Sequence, residues 1–121
     1  MLSKSNCLSG LRVFATARSA STLSSLADLG IETLPLEVNQ TDSIAEAKRE
    51  ITERTGGKLD FLVNNAGRNY TVPALDVDIE EVRETFETNL FAVIRMCQAF
   101  APLLIRAKGM IVEIGSVAGV M

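Results

Sequence analysis

The chain has 121 residues and a mass of 13.1 kDa, the size of one domain. Its residues are 47% hydrophobic and 22% charged, and 15 acids against 12 bases leave a net charge of -3, which argues against nucleic acid or anionic lipid as a partner. Histidine is absent, which excludes Ser-His and Cys-His nucleophile pairs, a histidine base and every His-containing metal site, so no metal is expected.

The first 27 residues hold no acid, but they carry Lys4, Arg12, Arg18 and many serines. That is the composition of a mitochondrial transit peptide, set against a strand-like run over residues 11–15 and serines suited to a helix start. Cytoplasmic is the expected location and mitochondrial the alternative. Residues 11–16 are the first apolar run, and a short helix over 19–29 follows, ended by Gly30. Residues 31–38 are a second strand-like run. A helix over 42–54 places Ile44, Ala47, Lys48 and Ile51 on one face, and Gly56-Gly57 stops it. Residues 59–63 form the third run. Asp78 with Glu81 suits a helix start, an acid at the cap and acids in the first turn.

The long helix that follows, to about Lys108, carries Val82, Phe86, Asn89, Val93, Met96, Phe100 and Leu104 at steps of four and three. Pro102 is expected to kink it or mark its last turns, and Gly109 to end it. Its most apolar part, residues 90–107, is interrupted by Arg95, Gln98 and Arg106, so no membrane span is expected. Residues 110–114 are the fourth strand run. Cys7 and Cys97 fit no zinc or disulfide framework and read as reduced thiols of an intracellular protein. Non-alternating strands separated by helices predict an α/β fold with a parallel sheet covered on both faces.

The most specific stretch is Asn64-Asn65-Ala66-Gly67, at the end of the third run. Ligands of open parallel sheets bind at the carboxyl ends of strands, where small residues admit a flat ring and asparagine amides donate and accept. An ordinary strand-to-loop turn has the same composition. The stretch resembles the Asn-Asn-Ala-Gly motif of the short-chain dehydrogenase/reductase family, and its neighbours agree in order. Val13-Phe14-Ala15-Thr16-Ala17-Arg18 is similar to the family's second strand and turn, and Leu36-Glu37-Val38 to the end of its third. Asn89 stands where the family keeps an asparagine. Ile111-Val112-Glu113-Ile114-Gly115-Ser116-Val117-Ala118-Gly119 resembles the fifth strand with its serine. Within the family the likeness is to fungal NADPH-dependent 1-acyldihydroxyacetone-phosphate reductases.

The resemblance implies a Rossmann-like, doubly wound parallel sheet and a cofactor, NADP(H). It implies that Arg18 pairs with the 2'-phosphate, that Glu37 and Val38 line the adenine pocket (the family more often has Asp at 37), and that Asn65, Ala66 and Gly67 face the ribose and nicotinamide. Asn89 would organise a proton-relay water through its backbone, and Ser116 would hydrogen-bond the substrate carbonyl. The departures are as telling. Residues 1–10 read as a head foreign to the family, without its Gly-rich turn or first strand, and the catalytic Tyr-x-x-x-Lys does not follow Ser116. Tyr70, the sole tyrosine, stands too early in the chain to replace it.

The chain is therefore expected to be a single, incomplete dinucleotide-binding domain over residues 1–121. The missing first strand leaves three outcomes: the first and third runs pair directly, the head fills in, or the edges stay open and invite aggregation. Two functions follow. One is NADP(H)-dependent reduction of a ketone or oxidation of a secondary alcohol, with a lipid-linked ketone such as 1-acyldihydroxyacetone phosphate as the candidate that family likeness offers, and with this chain expected to be inactive by itself. The other is a catalytically dead remnant that acts only through association, as a homo-oligomer built on the 82–104 helix. Family likeness adds the lipid droplet or endoplasmic-reticulum surface as locations.

Overall fold

Four apolar runs become strands and the amphipathic stretches between them become helices, in a computed structural model that describes residues 10–117. The readings made for residues 1–9, and for Ala118 and Gly119, lie outside the described residues. The chain divides into two units, Met1–Glu37 and Val38–Met121.

In the N-terminal unit β1 (Phe14–Ala17) and β2 (Glu32–Pro35) pair in parallel, with Phe14 against Glu32 and Ala17 against Pro35. The connecting helix α1 (Ala20–Ala27) packs on both strands. β1 begins at Phe14 and not at Leu11, because a two-stranded ladder is only as long as its partner. Arg12 turns to Glu32 instead, Nε to Oε1 at 2.5 Å and Nη2 to Oε2 at 3.0 Å, with its guanidinium 4.9 Å from the centre of the Phe14 ring. α1 is shorter than the expected 19–29, but Gly30 ends the turn as expected: its φ is 76° and its N–H reaches the Ala27 carbonyl at 2.8 Å.

In the second unit α2 (Thr41–Thr55) buries Ile44, Ala47 and Ile51 on one face, and Gly56 caps it at φ 66°. β3 (Phe61–Asn64) and β4 (Met110–Glu113) pair in parallel, Phe61 against Met110 through Asn64 against Glu113. Between them run a short 3-10 turn (Ala74–Asp76), α3 (Ile79–Phe86), a π-turn (Glu87–Phe91) and α4 (Ala92–Ala107). Asp78 caps α3, its carboxylate accepting the N–H groups of Glu80 at 2.8 Å and Glu81 at 3.4 Å. α4 sends Ala92, Met96, Phe100, Leu103 and Leu104 inward and packs against α2 and β3, with Phe100 only 1% exposed.

Three expectations change. The apolar stripe expected from Val82 to Leu104 breaks in two: Met96, Phe100 and Leu104 are buried, while Phe86 is 52% exposed. The π-turn adds a residue to the helical repeat, which rotates α3 by about 100° against α4, so steps of three and four no longer track one face. The left-handed residue that ends α4 is Lys108 at φ 54°, not Gly109, whereas Pro102 falls in the last turns of α4, as expected. Direct pairing of the first and third runs is not among the ladders, since the described strands form two separate pairs, β1–β2 and β3–β4. The helical stretch Ile79–Ala107 has the length and mean hydropathy, 1.5, to cross a membrane by those criteria alone, yet it buries Met96, Phe100 and Leu104 as a core helix does.

Candidate functional site

A parallel pair delivers both of its carboxyl ends to the same place. Asn64 lies opposite Glu113, and the Asn64 carbonyl accepts the N–H of Ile114 at 3.1 Å, so the 65–67 loop and Ser116 leave the sheet side by side. Asn65, Ala66, Gly67 and Ser116 are all exposed there. Gly67 faces Asn89: a Cβ at residue 67 would stand 3.5 Å from Asn89 Oδ1, in ordinary contact.

Asn89 sits in the π-turn, and its amide grips one residue of the loop at two points. The Arg68 N–H donates to Asn89 Oδ1 at 2.9 Å, and Asn89 Nδ2 donates to the Arg68 carbonyl at 2.9 Å. The side chain, which the resemblance leaves without a task, is thus what ties the loop to the helix. π-turns interrupt α-helices at functional positions more often than elsewhere. Tyr70 has a local role: its hydroxyl accepts the Asp78 N–H at 2.8 Å at the start of α3.

Behind the loop lies a small polar cluster. Asn64 is 9% exposed, and its Nδ2 donates to Glu113 Oε1 at 2.7 Å and lies 3.6 Å from Cys97 Sγ. Cys97 donates to the same Glu113 oxygen at 3.8 Å. Burial first, and then the Glu113 carboxylate, push the Cys97 thiol up from its ordinary value, so the group stays protonated.

The second cluster of expected site residues belongs to the N-terminal unit. Arg18 follows β1 and Glu37 follows β2, and Arg18 Nε stands 3.9 Å from Glu37 Oε2. The Arg18 side chain is 77% exposed, so this loose pair leaves the guanidinium open to an anion. Val38, half-buried, opens the second unit. A shallow depression of about 510 Å³ lies elsewhere, lined by Val82, Arg83, Phe86, Glu87 and Phe91, and none of the expected site residues lines it.

Sequence reasoning missed the Asn64–Glu113–Cys97 cluster and the ion pairs of Arg68 with Glu81 and Glu84. The spacing of Glu81 and Glu84, one helical turn apart, is legible, but their partner on a distant loop is not.

Parallel strands linked by helices, with a small-residue and asparagine loop at their carboxyl ends, define an α/β protein of the Rossmann type, here incomplete. The family model described as short chain dehydrogenase matches residues 2–121, and the chain belongs to that family. A short-chain dehydrogenase of Penicillium ochrochloron is 50% identical over 110 residues, which cover 90% of this chain and 41% of that protein. The NADPH-dependent 1-acyldihydroxyacetone phosphate reductase of Schizosaccharomyces pombe is 44% identical over 107 residues, covering 88% of this chain and 36% of that one. Among solved structures, the NADPH-bound carbonyl reductase from chicken fatty liver is 32% identical with a TM-score of 0.81, covering 88% of this chain and 49% of that one. The chain thus spans about two fifths of the length of the curated relatives it matches.

Proposed function

We propose that the protein serves an NADP(H)-dependent oxidoreductase that interconverts a ketone and a secondary alcohol. The observation that carries this reading is the 65–67 loop, fixed by Asn89 through the Arg68 peptide and set beside Ser116 at one end of the sheet. Each unit by itself offers residues of the chemistry such a cofactor needs. Asn65 offers an exposed amide, Ala66 and Gly67 leave room for a flat ring, and Arg18 offers an exposed cation to a 2'-phosphate. Glu37 and Val38 would border the adenine.

Bound NADPH would supply the hydride for the carbonyl carbon. Ser116 would donate a hydrogen bond to the substrate oxygen, withdrawing electrons from that carbon and orienting it. Asn89 would hold the loop while its backbone orients a relay water. The relative from Schizosaccharomyces pombe supports NADPH and a lipid-linked ketone of the acyldihydroxyacetone-phosphate class as substrate.

Titration with NADPH, followed by its fluorescence, tests the cofactor. Arg18→Glu is expected to weaken binding about tenfold, the loss of one charge-assisted phosphate contact plus a new repulsion. Equal affinity of parent and variant refutes the role of Arg18. Ketone-dependent NADPH oxidation that survives Ser116→Ala removes Ser116 from the reaction.

A second reading has an observation of its own. Phe86, Leu90, Phe91 and Ile94 are each more than two fifths exposed along the helical stretch, a surface suited to association between copies. Sedimentation of the parent against Phe86→Glu tests it: a monomer in both cases rejects this surface.

A further inference from the structure

Arg68 is the first residue after the 65–67 loop, and it is held from two sides. Its peptide is gripped by the Asn89 amide. Its guanidinium forks over α3: Nη2 lies 2.5 Å from Glu81 Oε2, and Nη1 bonds Glu84 Oε2. Glu81 and Glu84 stand one turn apart on α3, so a planar cation with two separated donors meets both at once, in a fixed fork that a flexible ammonium does not reproduce.

The two grips hold different parts of the residue. Asn89 bonds to the N–H and C=O of a single residue and so holds its backbone. The guanidinium anchors the side chain of the same residue to α3, earlier in the same helical stretch, so Arg68 is fixed at both its backbone and its side chain. We infer that Arg68 is a positioning residue of the cofactor loop: by spanning Glu81 and Glu84 it locks the peptide that Asn89 holds, and so fixes Asn65, Ala66 and Gly67. This deepens the proposed function and rests on it for the identity of the ligand, but the lock itself stands on geometry alone.

The test is amide hydrogen exchange on the whole chain, comparing the parent with Glu81→Gln/Glu84→Gln, Arg68→Ala and Arg68→Lys, each corrected for intrinsic rates. The double glutamine variant is expected to exchange the Arg68 amide roughly fivefold faster, the effect of losing two exposed ion pairs. Arg68→Lys is expected to fall between the parent and Arg68→Ala. The Phe100 amide in the core reports on the fold as a whole, and it is expected not to change. In about 1 M salt, where charges more than roughly 3 Å apart are screened, the parent is expected to approach the variants.

Unchanged exchange at Arg68 in both neutralised variants overturns the lock. So does equal acceleration at Phe100, because the loss would then be one of global stability. NADPH titration of the same variants reads the consequence: the dissociation constant is expected to rise by a similar factor. A loosened amide with unchanged NADPH affinity overturns the positioning role. If the parent itself binds no NADPH, the cofactor reading fails instead, and the exchange comparison still decides the lock.

Discussion

Gly109 joins α4 to β4 at the closest backbone approach found for a described glycine. A Cβ built there would lie 2.5 Å from the Leu59 carbonyl oxygen, 2.6 Å from that of Asp60 and 3.0 Å from the Asp60 carbonyl carbon. Ordinary carbon-to-oxygen contacts are about 3.3 Å or longer, so Gly109→Ala must move the 59–60 backbone by roughly 0.8 Å. No flexible side chain can take up that motion. The Asp60 carbonyl also accepts the Met110 N–H at 2.8 Å, and the same displacement takes that bond beyond hydrogen-bonding distance.

Overpacking of this kind costs about 1–3 kcal/mol, and the lost bond adds about 1 kcal/mol, so Gly109→Ala is expected to destabilise the fold by about 2–4 kcal/mol. Gly56→Ala is the control. Gly56 has φ 66° but nothing within 4 Å of its Cβ position, so that substitution carries backbone strain alone, about 1 kcal/mol. Urea unfolding followed by circular dichroism measures both, with the slope checked for constancy. If Gly109→Ala costs no more than Gly56→Ala, the close approach of β3 to the α4–β4 junction is not as described. The site is then also misplaced, since that junction sets the register between the 65–67 loop and Ser116.

Three further predictions follow from packing, capping and charge. Phe100→Ala, at 1% exposure between α2 and β3, is expected to cost about 3–5 kcal/mol in the same unfolding assay, and a loss below about 2 kcal/mol would mean the site collapses freely. Asp78→Ala removes the acceptor for Glu80 and Glu81 at the start of α3 and is expected to cost about 1 kcal/mol, with Asp78→Asn recovering most of it; equal losses in the two variants contradict the cap. Glu113→Gln removes a negative charge beside Cys97, so the thiol is expected to titrate at lower pH, read as the pH profile of iodoacetamide alkylation in a Cys7→Ser background. Because folding raises this thiol, its contribution to stability is complete below the unfolded thiol value and is lost as pH rises through the folded one. Cys97→Ser should therefore flatten the alkaline limb of the stability curve, and an unchanged limb counts against the burial of the thiol.

The architecture was legible because its punctuation is local. Gly30 and Gly56 end α1 and α2 where only a left-handed residue fits, and Ile44, Ala47 and Ile51 mark the buried face of α2 without reference to anything else. Strand ends were less legible, since a ladder depends on two partners: β1 starts at Phe14 because β2 starts at Glu32. The phase of the long helix was not legible at all. Nothing in the run from Glu87 to Phe91 announces a π-turn, and that turn alone decides that Phe86 faces outward while Met96 and Phe100 face inward. Of the site, the residues in one motif were readable, whereas the pairing of Arg68 with Glu81 and Glu84 joins positions thirteen and sixteen residues apart that only the folded loop brings together.

The two adjacent asparagines show why the motif needs both. Strand residues alternate faces, so Asn64, the last residue of β3, points to the α4 side while the chain leaves the sheet at Asn65. Asn64 is 9% exposed and uses its amide and carbonyl to bind Glu113 and Ile114 of β4; Asn65 is exposed and its amide is available to a ligand. One asparagine therefore fixes where β4 ends, and with it Ser116, while the next leaves its amide at the surface. A slip of one residue in β3 would exchange these placements, burying the exposed amide and exposing the structural one. The Asn64–Glu113 bond, at 2.7 Å and part-buried, opposes that slip. The 65–67 loop and Ser116 are then set by the same strand register, and a perturbation of that register moves both together.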